Sequence, residues 1–264
     1  MNQSRIMDLV LQGAGTQYTL DIAHYYLHLE FVNNIIISCW ENDAIETTNS
    51  RIIILKNKDV DNPGSKNRNR QIKGSLDGLK MVTTEFSAKL RGDQKIHLDS
   101  MYNIYNFYNE HKTRDITYYG DKTSPKNKIC VLGIFPTFPF HPSDEIAWGN
   151  TQDLIDLYDI PYSDTSISNE NYNSVMRAEA EIFVHYYARF DAIIDKYISN
   201  KQLYLVDNAP YISEALAISN AMTKQIFSLI PKIEFDWPKY PKFSYSYEHR
   251  HQEYGFCWGD YKII

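Results

Sequence analysis

Two short apolar runs near the start of the chain, Asp8 to Gln12 and Ile35 to Trp40, are separated by a helix-like segment from Thr19 to Glu30. Ile52 to Leu55 forms a third apolar run. Short apolar runs of this kind are typical of buried strands, so the pattern predicts a βαβ start with a right-handed crossover. We therefore expect an α/β fold with helices flanking the sheet.

The next segment changes its period from that of a helix to that of a strand. A helix is predicted by apolar residues that recur at spacings of four, three and three, namely Ile72, Leu76, Leu79 and Val82. From Phe86 to Arg91 the period is two, so Lys89 shares one strand face with Arg91. Asp93 follows where the strand should end, at the sheet edge where open α/β folds bind ligands. The alternative is that Asp93 caps a turn and both basic side chains are solvated.

The second half of the chain is less regular. Tyr102 to Lys128 is rich in Tyr and Asn, and we interpret it as an irregular insertion over the site. Cys130 to Phe140 is apolar but contains two prolines, which predicts an edge strand or a bent one. A polar loop from Ser163 to Asn173 precedes a long predicted helix, about Ser174 to Ser199. The residues that we expect this helix to bury are Val175, Phe183 and Tyr186.

Bulk properties agree with a soluble enzyme and exclude few other classes. A chain of 264 residues can bury a substantial core, and we expect one domain over 1–264. We expect this domain to consist of a donor-binding half at 1–100, an acceptor and catalytic half at 101–230, and an aromatic C-terminal extension at 231–264. The net charge of -6 argues against a general nucleic-acid binder. Three cysteines without CxxC spacing predict neither a disulfide framework nor a zinc site. No signal peptide and no apolar run near ~18 residues is found, so we expect a cytoplasmic protein.

Several short motifs follow one another in a characteristic order. They are Leu11-Gln12-Gly13, Ser38-Cys39-Trp40-Glu41, Pro63-Gly64, Asn67-Arg68-Asn69-Arg70-Gln71, Gly78-Leu79, Lys89-Leu90-Arg91-Gly92-Asp93 and Phe140-His141-Pro142-Ser143-Asp144. Together they resemble the WavE lipopolysaccharide-synthesis family of glycosyltransferases over roughly the first 160 residues, with a weaker match around Glu181. The resemblance implies a GT-A-like, Rossmann-type mixed sheet. It also implies a nucleotide-sugar donor and an oligosaccharide or glycolipid acceptor, such as lipopolysaccharide or capsule.

The resemblance implies a donor site at the ends of the first strands and at the start of the helix. Its predicted members are Gln12, Gly13, Trp40, Glu41, Arg70, Gln71, Lys89 and Arg91. An arginine and free N–H groups at a helix start suit a diphosphate. Trp40 could stack on the base, although a core aromatic is the alternative. Asp93 is the predicted ligand of a divalent metal, Mn²⁺ or Mg²⁺; with only one acid there, Lys89 and Arg91 could instead supply the positive charge.

Inversion is only slightly favoured over retention, and inverting transfer needs a carboxylate that accepts the proton of the acceptor hydroxyl. Asp144 is the first candidate and Asp153 the second. The alternatives are that Asp144 caps a helical turn from Glu145 to Trp148, and that Asp153 is a first-turn helix acid. Glu181 matches a family glutamate but could equally be a buried structural partner. His141 could complete a metal shell or be structural.

The C-terminal segment and two other functional classes stay open. From Phe235 to Tyr261 aromatic and basic residues alternate, which suggests an acceptor surface, a peripheral membrane contact, or a segment that wraps the domain. A sugar nucleotidyltransferase would carry a Gly-rich signature followed by Arg and Lys, and Gln12-Gly13-Ala14-Gly15 lacks that basic pair. A non-catalytic glycan-binding protein is suggested by the 21 tyrosines.

Overall fold

The computed structural model describes residues 5–112, 122–123, 125–135, 138–163, 178–199, 209–230 and 235–236. Its strands are β1 (Met7–Gln12), β2 (Val32–Trp40), β3 (Ile52–Asn57), β4 (Phe86–Arg91), β5 (Lys95–Ile96), β6 (Ile129–Val131), β7 (Ile146–Asn150), β8 (Phe227–Leu229) and β9 (Phe235–Asp236). Its helices are α1 (Gln17–Tyr26), α2 (Arg68–Lys80), α3 (Leu98–His111), α4 (Thr151–Tyr158), α5 (Ala178–Ala188), α6 (Asp195–Ser199) and α7 (Ala209–Ile226).

The described strands build a mixed seven-stranded sheet in the order β3-β2-β1-β4-β7-β6-β8. The pairs β3-β2, β2-β1 and β1-β4 are parallel, whereas β7 runs antiparallel to both β4 and β6. The predicted α/β class, a Rossmann-type mixed sheet flanked by helices, is therefore confirmed. A separate antiparallel pair joins β5 to β9, with Ile96 opposite Phe235.

The first two crossover helices lie on opposite faces of the sheet. α1, between β1 and β2, contributes Tyr26 to one hydrophobic core, and α2, between β3 and β4, contributes Ile72 and Leu79 to the other. The chain thus extends the sheet from β1 first in one direction and then in the other. This makes the carboxyl ends of β1 and β4 a topological switch point, where open α/β sheets bind ligands. Gln12 and Arg91 are register partners at this point.

The start of α1 is set by a reciprocal cap. The Thr16 hydroxyl accepts from the backbone N–H of Thr19 at 3.2 Å, and the Thr19 hydroxyl accepts from the backbone N–H of Thr16 at 3.4 Å. This capping box satisfies two N–H groups that a helix start leaves without partners. The helix therefore begins at Gln17, two residues before the predicted start, and it ends at Tyr26 rather than near Glu30.

Glycines let α2 lie directly on the sheet. A Cβ at Gly78 would lie 2.5 Å from Val10 Cγ1 and 2.9 Å from Ser38 Cβ, so no larger residue fits there. The Ser38 hydroxyl also donates to the Gly74 carbonyl at 2.6 Å. This close packing holds the first turn of α2 at the carboxyl edge of β1 to β3, beside the switch point.

The prediction of an irregular insertion at 102–128 is wrong for its first part. α3 runs through residue 111 and buries Met101, Ile104 and Tyr108 in the core that α1 faces. These three positions follow helical spacing, but the Tyr and Asn residues between them obscured the period. Most of 113–128 lies outside the described residues.

The segment after Ile129 is bent and is not an edge strand. β6 pairs with β7 on one side and with β8 on the other. The chain then turns sharply at Phe140, which has a left-handed φ of 54°, and Ile134 bridges to Pro142. β8 supplies the outer neighbour of β6 from a distant part of the chain, which explains why the local sequence suggested an edge.

The long helix predicted for Ser174 to Ser199 is interrupted. α5 ends at Ala188, and Asp191 then starts a 3₁₀ turn by accepting from the backbone N–H of Ile193 at 2.9 Å. α6 follows as a separate short helix. Phe183 and Tyr186 are buried as predicted. Val175 lies outside the described residues, as does the loop from 164 to 173.

The aromatic C-terminal extension lies outside the described residues apart from β9. The proposed acceptor or membrane surface from Phe235 to Tyr261 thus stays a prediction, and so does the division of the chain into halves. Among the helices described, none is both long enough and apolar enough to cross a membrane.

Candidate active site

Predicted donor residues meet at the carboxyl edge of the parallel strands. Gln12 lies in register with Arg91 on one side and with Ser38 on the other, and Trp40 ends the neighbouring strand β2. Gly13 follows Gln12 with φ +141°, a conformation that an L side chain rarely adopts. Its backbone N–H donates to the Ser38 carbonyl at 3.2 Å, at the end of β1.

Trp40 and Arg70 form a partly exposed pair at this edge. The guanidinium carbon of Arg70 lies 6.0 Å from the centroid of the Trp40 ring, and Arg70 Nε donates to Asp59 Oδ1 at 2.8 Å. A second Arg70 nitrogen pairs with Asp59 Oδ2. Hydrogen bonding from Arg70 lowers the pKa of Asp59. Trp40 is only partly buried and so is not a core aromatic. A planar ring beside a guanidinium can hold a base and a phosphate.

Asp43 connects the loop after β1 to the loop after β2 through hydrogen bonds. The sequence analysis did not identify this residue. Its Oδ2 accepts from the backbone N–H of Gly15 at 2.7 Å and from that of Trp40 at 2.9 Å. Glu41 is exposed, and its backbone N–H donates to the Asn57 carbonyl at 2.9 Å. The one available signal was an aspartate three residues after a strand-end tryptophan, which is typical of a local side-chain cap.

The Asn-x-Asn-Arg-Gln motif contains two buried residues, Arg68 and Asn69, followed by two partly exposed ones, Arg70 and Gln71. Arg68 is fully buried, pairs with Glu181, and donates to the Ser163 hydroxyl at 2.6 Å. Asn69 exchanges two hydrogen bonds of 2.8 Å with the backbone of Ser163. Glu181 thus serves as a structural partner that links α5 to α2. Gln71 is partly exposed in the first turn of α2.

Asp144 and Lys89 form a buried pair just beyond the switch point. Lys89 Nζ donates to the Asp144 carbonyl at 2.6 Å and lies 3.9 Å from Asp144 Oδ2, which has no hydrogen-bond partner among the described residues. The Tyr158 ring centroid lies 5.7 Å from the ammonium. Burial raises the pKa of Asp144, partly opposed by Lys89, and burial lowers the pKa of Lys89.

Two of the alternative interpretations of this segment are wrong. The residues after Asp144 form strand β7 instead of a helical turn, so Asp144 caps no helix. Lys89 is fully buried instead of solvated, because α2 and α4 cover its face of the sheet.

Asp93 is engaged by Arg91. Arg91 Nε donates to Asp93 Oδ1 at 2.9 Å, and Arg91 Nη2 donates to Asp93 Oδ2 at 2.7 Å. Burial alone would raise the pKa of Asp93, but the hydrogen bonds from Arg91 outweigh it and the pKa is lowered. The described residues contain no group of three or more His, Cys, Asp or Glu that could hold a metal ion. The arrangement around Asp93 does not fit the divalent metal that the resemblance implies.

Asp153 is not brought together with these residues. It follows Asn150, which pairs with Phe86 at the start of β4, so Asp153 lies at the opposite edge of the sheet from Asp144. Its two carboxylate oxygens accept from two successive backbone N–H groups at 2.8 Å each. It is a first-turn acid of α4 that anchors the neighbouring loop.

A histidine and a glutamate lie beside Asp144. His141 is buried, stacks on Phe135 with the ring centroids 4.6 Å apart, and places Nε2 at 3.6 Å from Glu179 Oε2. Burial alone would raise the pKa of Glu179, but the adjacent His141 ring lowers it. Sequence reasoning missed Glu179, although its place in the first turn of α5, two residues before Glu181, was a signal.

Polar side chains thus gather at the topological switch point of an open α/β sheet, which is where such sheets bind ligands. The family model for WavE lipopolysaccharide synthesis matches residues 28–225. The chain belongs to this family.

Similar solved structures are more remote. One is S. aureus TarS 1–349, which is 13% identical to this chain with a TM-score of 0.41. The match covers 70% of this chain and 56% of the TarS chain. A longer S. aureus TarS structure is 13% identical with a TM-score of 0.39. The match covers 70% of this chain and 34% of that TarS chain. Francisella tularensis 2-C-methyl-D-erythritol 4-phosphate cytidylyltransferase is 10% identical with a TM-score of 0.35. The match covers 58% of this chain and 76% of the cytidylyltransferase. The chain thus spans little more than half of the shorter TarS structure. No curated protein matches the chain.

Proposed function

We propose that this protein is a glycosyltransferase that moves a sugar from a nucleotide-sugar donor to a surface glycan such as lipopolysaccharide or capsule. One observation carries the proposal. A buried carboxylate oxygen without a hydrogen-bond partner among the described residues, Asp144 Oδ2, lies at the same sheet edge as the partly exposed pair of Trp40 and Arg70. Membership of the lipopolysaccharide-synthesis family supports it.

The donor binds across the ends of β1 and β2. Trp40 stacks on the base, and Arg70, which is more than a third exposed, turns its guanidinium to the diphosphate. Gln12 and Gly13 lie along the nucleoside, where the glycine permits close backbone approach. Glu41 and Gln71, both accessible on this edge, are available to the ribose and to the phosphates.

Asp144 is the base of an inverting displacement. Its Oδ2 accepts the proton of the acceptor hydroxyl, the hydroxyl oxygen forms a bond to the anomeric carbon, and the bond from that carbon to the diphosphate breaks, leaving the electron pair on the phosphate oxygen. A carboxyl whose pKa is raised by burial is a stronger base than an exposed one, which suits this role. Asp153, at the opposite edge, is not part of this proposal.

The partners follow from the same chemistry. The acceptor is an oligosaccharide or glycolipid, and the net charge of -6 gives no reason to propose a nucleic acid. Because such acceptors are assembled at membranes, we propose action on the cytoplasmic side, with peripheral contact.

The test is a transfer assay on the full chain with a panel of UDP-, GDP-, dTDP- and CMP-sugars, scored by nucleotide release and by binding calorimetry. Asp144→Asn should lower turnover by about 10²–10⁴ while leaving donor affinity nearly intact. Asp195→Asn is the matched control, because Asp195 is exposed and pairs with Lys122 on the surface. The proposal fails if no nucleotide sugar binds, or if Asp144→Asn transfers at the wild-type rate. Release of pyrophosphate from a nucleoside triphosphate and a sugar phosphate would indicate a nucleotidyltransferase instead.

A further inference from the structure

Arg91 and Asp93 form a rigid charged pair at the switch point. The two residues flank Gly92, whose backbone N–H donates to the Gln12 carbonyl at 2.9 Å. A Cβ at Gly92 would lie 3.0 Å from Thr19 Cγ2, so the turn is packed against α1. Both carboxylate oxygens of Asp93 accept from Arg91, which fixes the plane of the guanidinium beside Gln12.

This geometry does not suit Asp93 to bind a metal ion, as aspartates at strand ends often do. A divalent cation takes carboxylate oxygens as ligands, and a single aspartate normally acts with further acids or waters. Here the two oxygens of Asp93 are already paired in a fork, the geometry in which arginine and carboxylate bind most specifically. Among the residues that the structure describes, no cluster of three metal-ligating side chains surrounds it.

The pair also stands among other charges. Lys89, Asp144 and Glu145 all lie close enough to interact electrostatically with this strand end, and 39% of the Asp93 side chain is accessible. Arg91 itself keeps 27% of its side chain accessible. A guanidinium that is held in place and reachable from solvent can present N–H groups to a phosphate without any change in its protonation.

We propose that the Arg91–Asp93 pair takes the place of a divalent cation: Arg91 contacts the diphosphate of the donor, and Asp93 is a positioning residue that holds the guanidinium. This inference rests on the proposed function, because it assumes a nucleotide-sugar donor. As the bond from the anomeric carbon to the diphosphate oxygen breaks, the electron pair stays on that oxygen, and Arg91 donates hydrogen bonds to the charge that develops. No metal is needed for donor binding.

The experiment compares nucleotide affinity with and without a divalent cation. Calorimetry on the full chain with UDP, GDP and dTDP is run once in EDTA and once in MnCl₂. The wild-type affinity should agree within about twofold between the two buffers, since the protein supplies the positive charge. Arg91→Gln should weaken binding about 10- to 100-fold in both buffers, the range expected for a lost charge-assisted hydrogen bond.

Asp93→Asn separates positioning from metal binding. If Asp93 only holds Arg91, this variant should lose affinity by about three- to tenfold, equally in EDTA and in MnCl₂, with its melting temperature close to that of the control Asp195→Asn. Arg91→Lys, which keeps the charge but lacks the fork, should recover part of the affinity lost in Arg91→Gln.

Two results would overturn the inference in different ways. If MnCl₂ raises wild-type affinity by about tenfold or more and Asp93→Asn removes that gain, Asp93 is a metal ligand while the proposed function stands. If none of the nucleotides binds in either buffer, the proposed function fails together with the inference. The wild-type comparison needs no variant, so a misfolded Arg91→Gln does not prevent the decision.

Discussion

Replacing Lys89 by Met is the most direct test of the buried pair. Methionine fills nearly the same volume, but it removes the ammonium that lies 3.9 Å from Asp144 Oδ2 and the hydrogen bond of 2.6 Å to the Asp144 carbonyl. Lys89 is fully buried and Asp144 is 3% exposed, so bulk solvent screens the carboxylate only weakly. The variant leaves a buried carboxylate with no positive charge in contact.

The expected cost follows from this geometry. Two unit charges 3.9 Å apart attract by about 4 kcal/mol at an effective dielectric constant of 20. Removing one partner of a buried pair typically costs about 3–5 kcal/mol. We expect Lys89→Met to lower the free energy of unfolding by an amount in this range at neutral pH. The double variant with Asp144→Asn should recover much of it, because no buried charge is then left uncompensated.

The pH dependence has a definite sign. Asp144 has a raised pKa in the folded protein, so its burial destabilises the fold increasingly as pH rises from the unfolded value, about 3.9, through the folded pKa. Removing Lys89 should raise that folded pKa further. The stability difference between Lys89→Met and the double variant isolates this carboxyl. It should be largest near neutral pH and should vanish toward about pH 4.

The measurement is denaturant unfolding followed by circular dichroism at several pH values, with wild type, both single variants and the double variant forming a complete cycle. An unfolding midpoint of Lys89→Met equal to that of wild type would refute the electrostatic argument. A deficit that grows as the pH is lowered would refute the assignment of the effect to Asp144.

Three further variants test other parts of the structure. Arg70→Ala should weaken nucleotide binding by about 1.5–3 kcal/mol in a calorimetric titration while the fold survives, and unchanged affinity would remove Arg70 from the site. Asp153→Asn should lower the free energy of unfolding by about 1–3 kcal/mol, because the amide nitrogen of asparagine cannot accept the second backbone hydrogen bond. Turnover should be retained, and a variant of full stability that has lost turnover would contradict the structural role of Asp153. Gly78→Ala should destabilise the protein by about 1–3 kcal/mol in thermal or chemical unfolding, because its Cβ would collide with Val10, and a neutral effect would show that α2 can move away from the sheet.

Local periodicity was sufficient for β4 and for the buried face of α2. β4 begins and ends at the predicted residues, Phe86 and Arg91, because the alternation of side chains across a strand is a property of the backbone alone. The face of α2 that carries Ile72 and Leu79 was likewise predicted, since helical spacing places these residues side by side. The order of the short motifs along the chain also predicted the family correctly, because that order is written in the sequence itself.

Contacts between distant segments decided what local pattern could not. Whether Asp144 and Asp153 share a site depends on β7 running antiparallel to β4, which places the two carboxylates at opposite edges of the sheet. Whether Lys89 is solvated or buried depends on α2 and α4, which cover its face of the sheet. The sequence alone determined the elements that have a clear period, such as β4 and the buried face of α2, and the residue types that are available, because these follow from spacing along the chain. The tertiary structure alone decided which charges meet, because that depends on strand order and burial, which spacing does not encode.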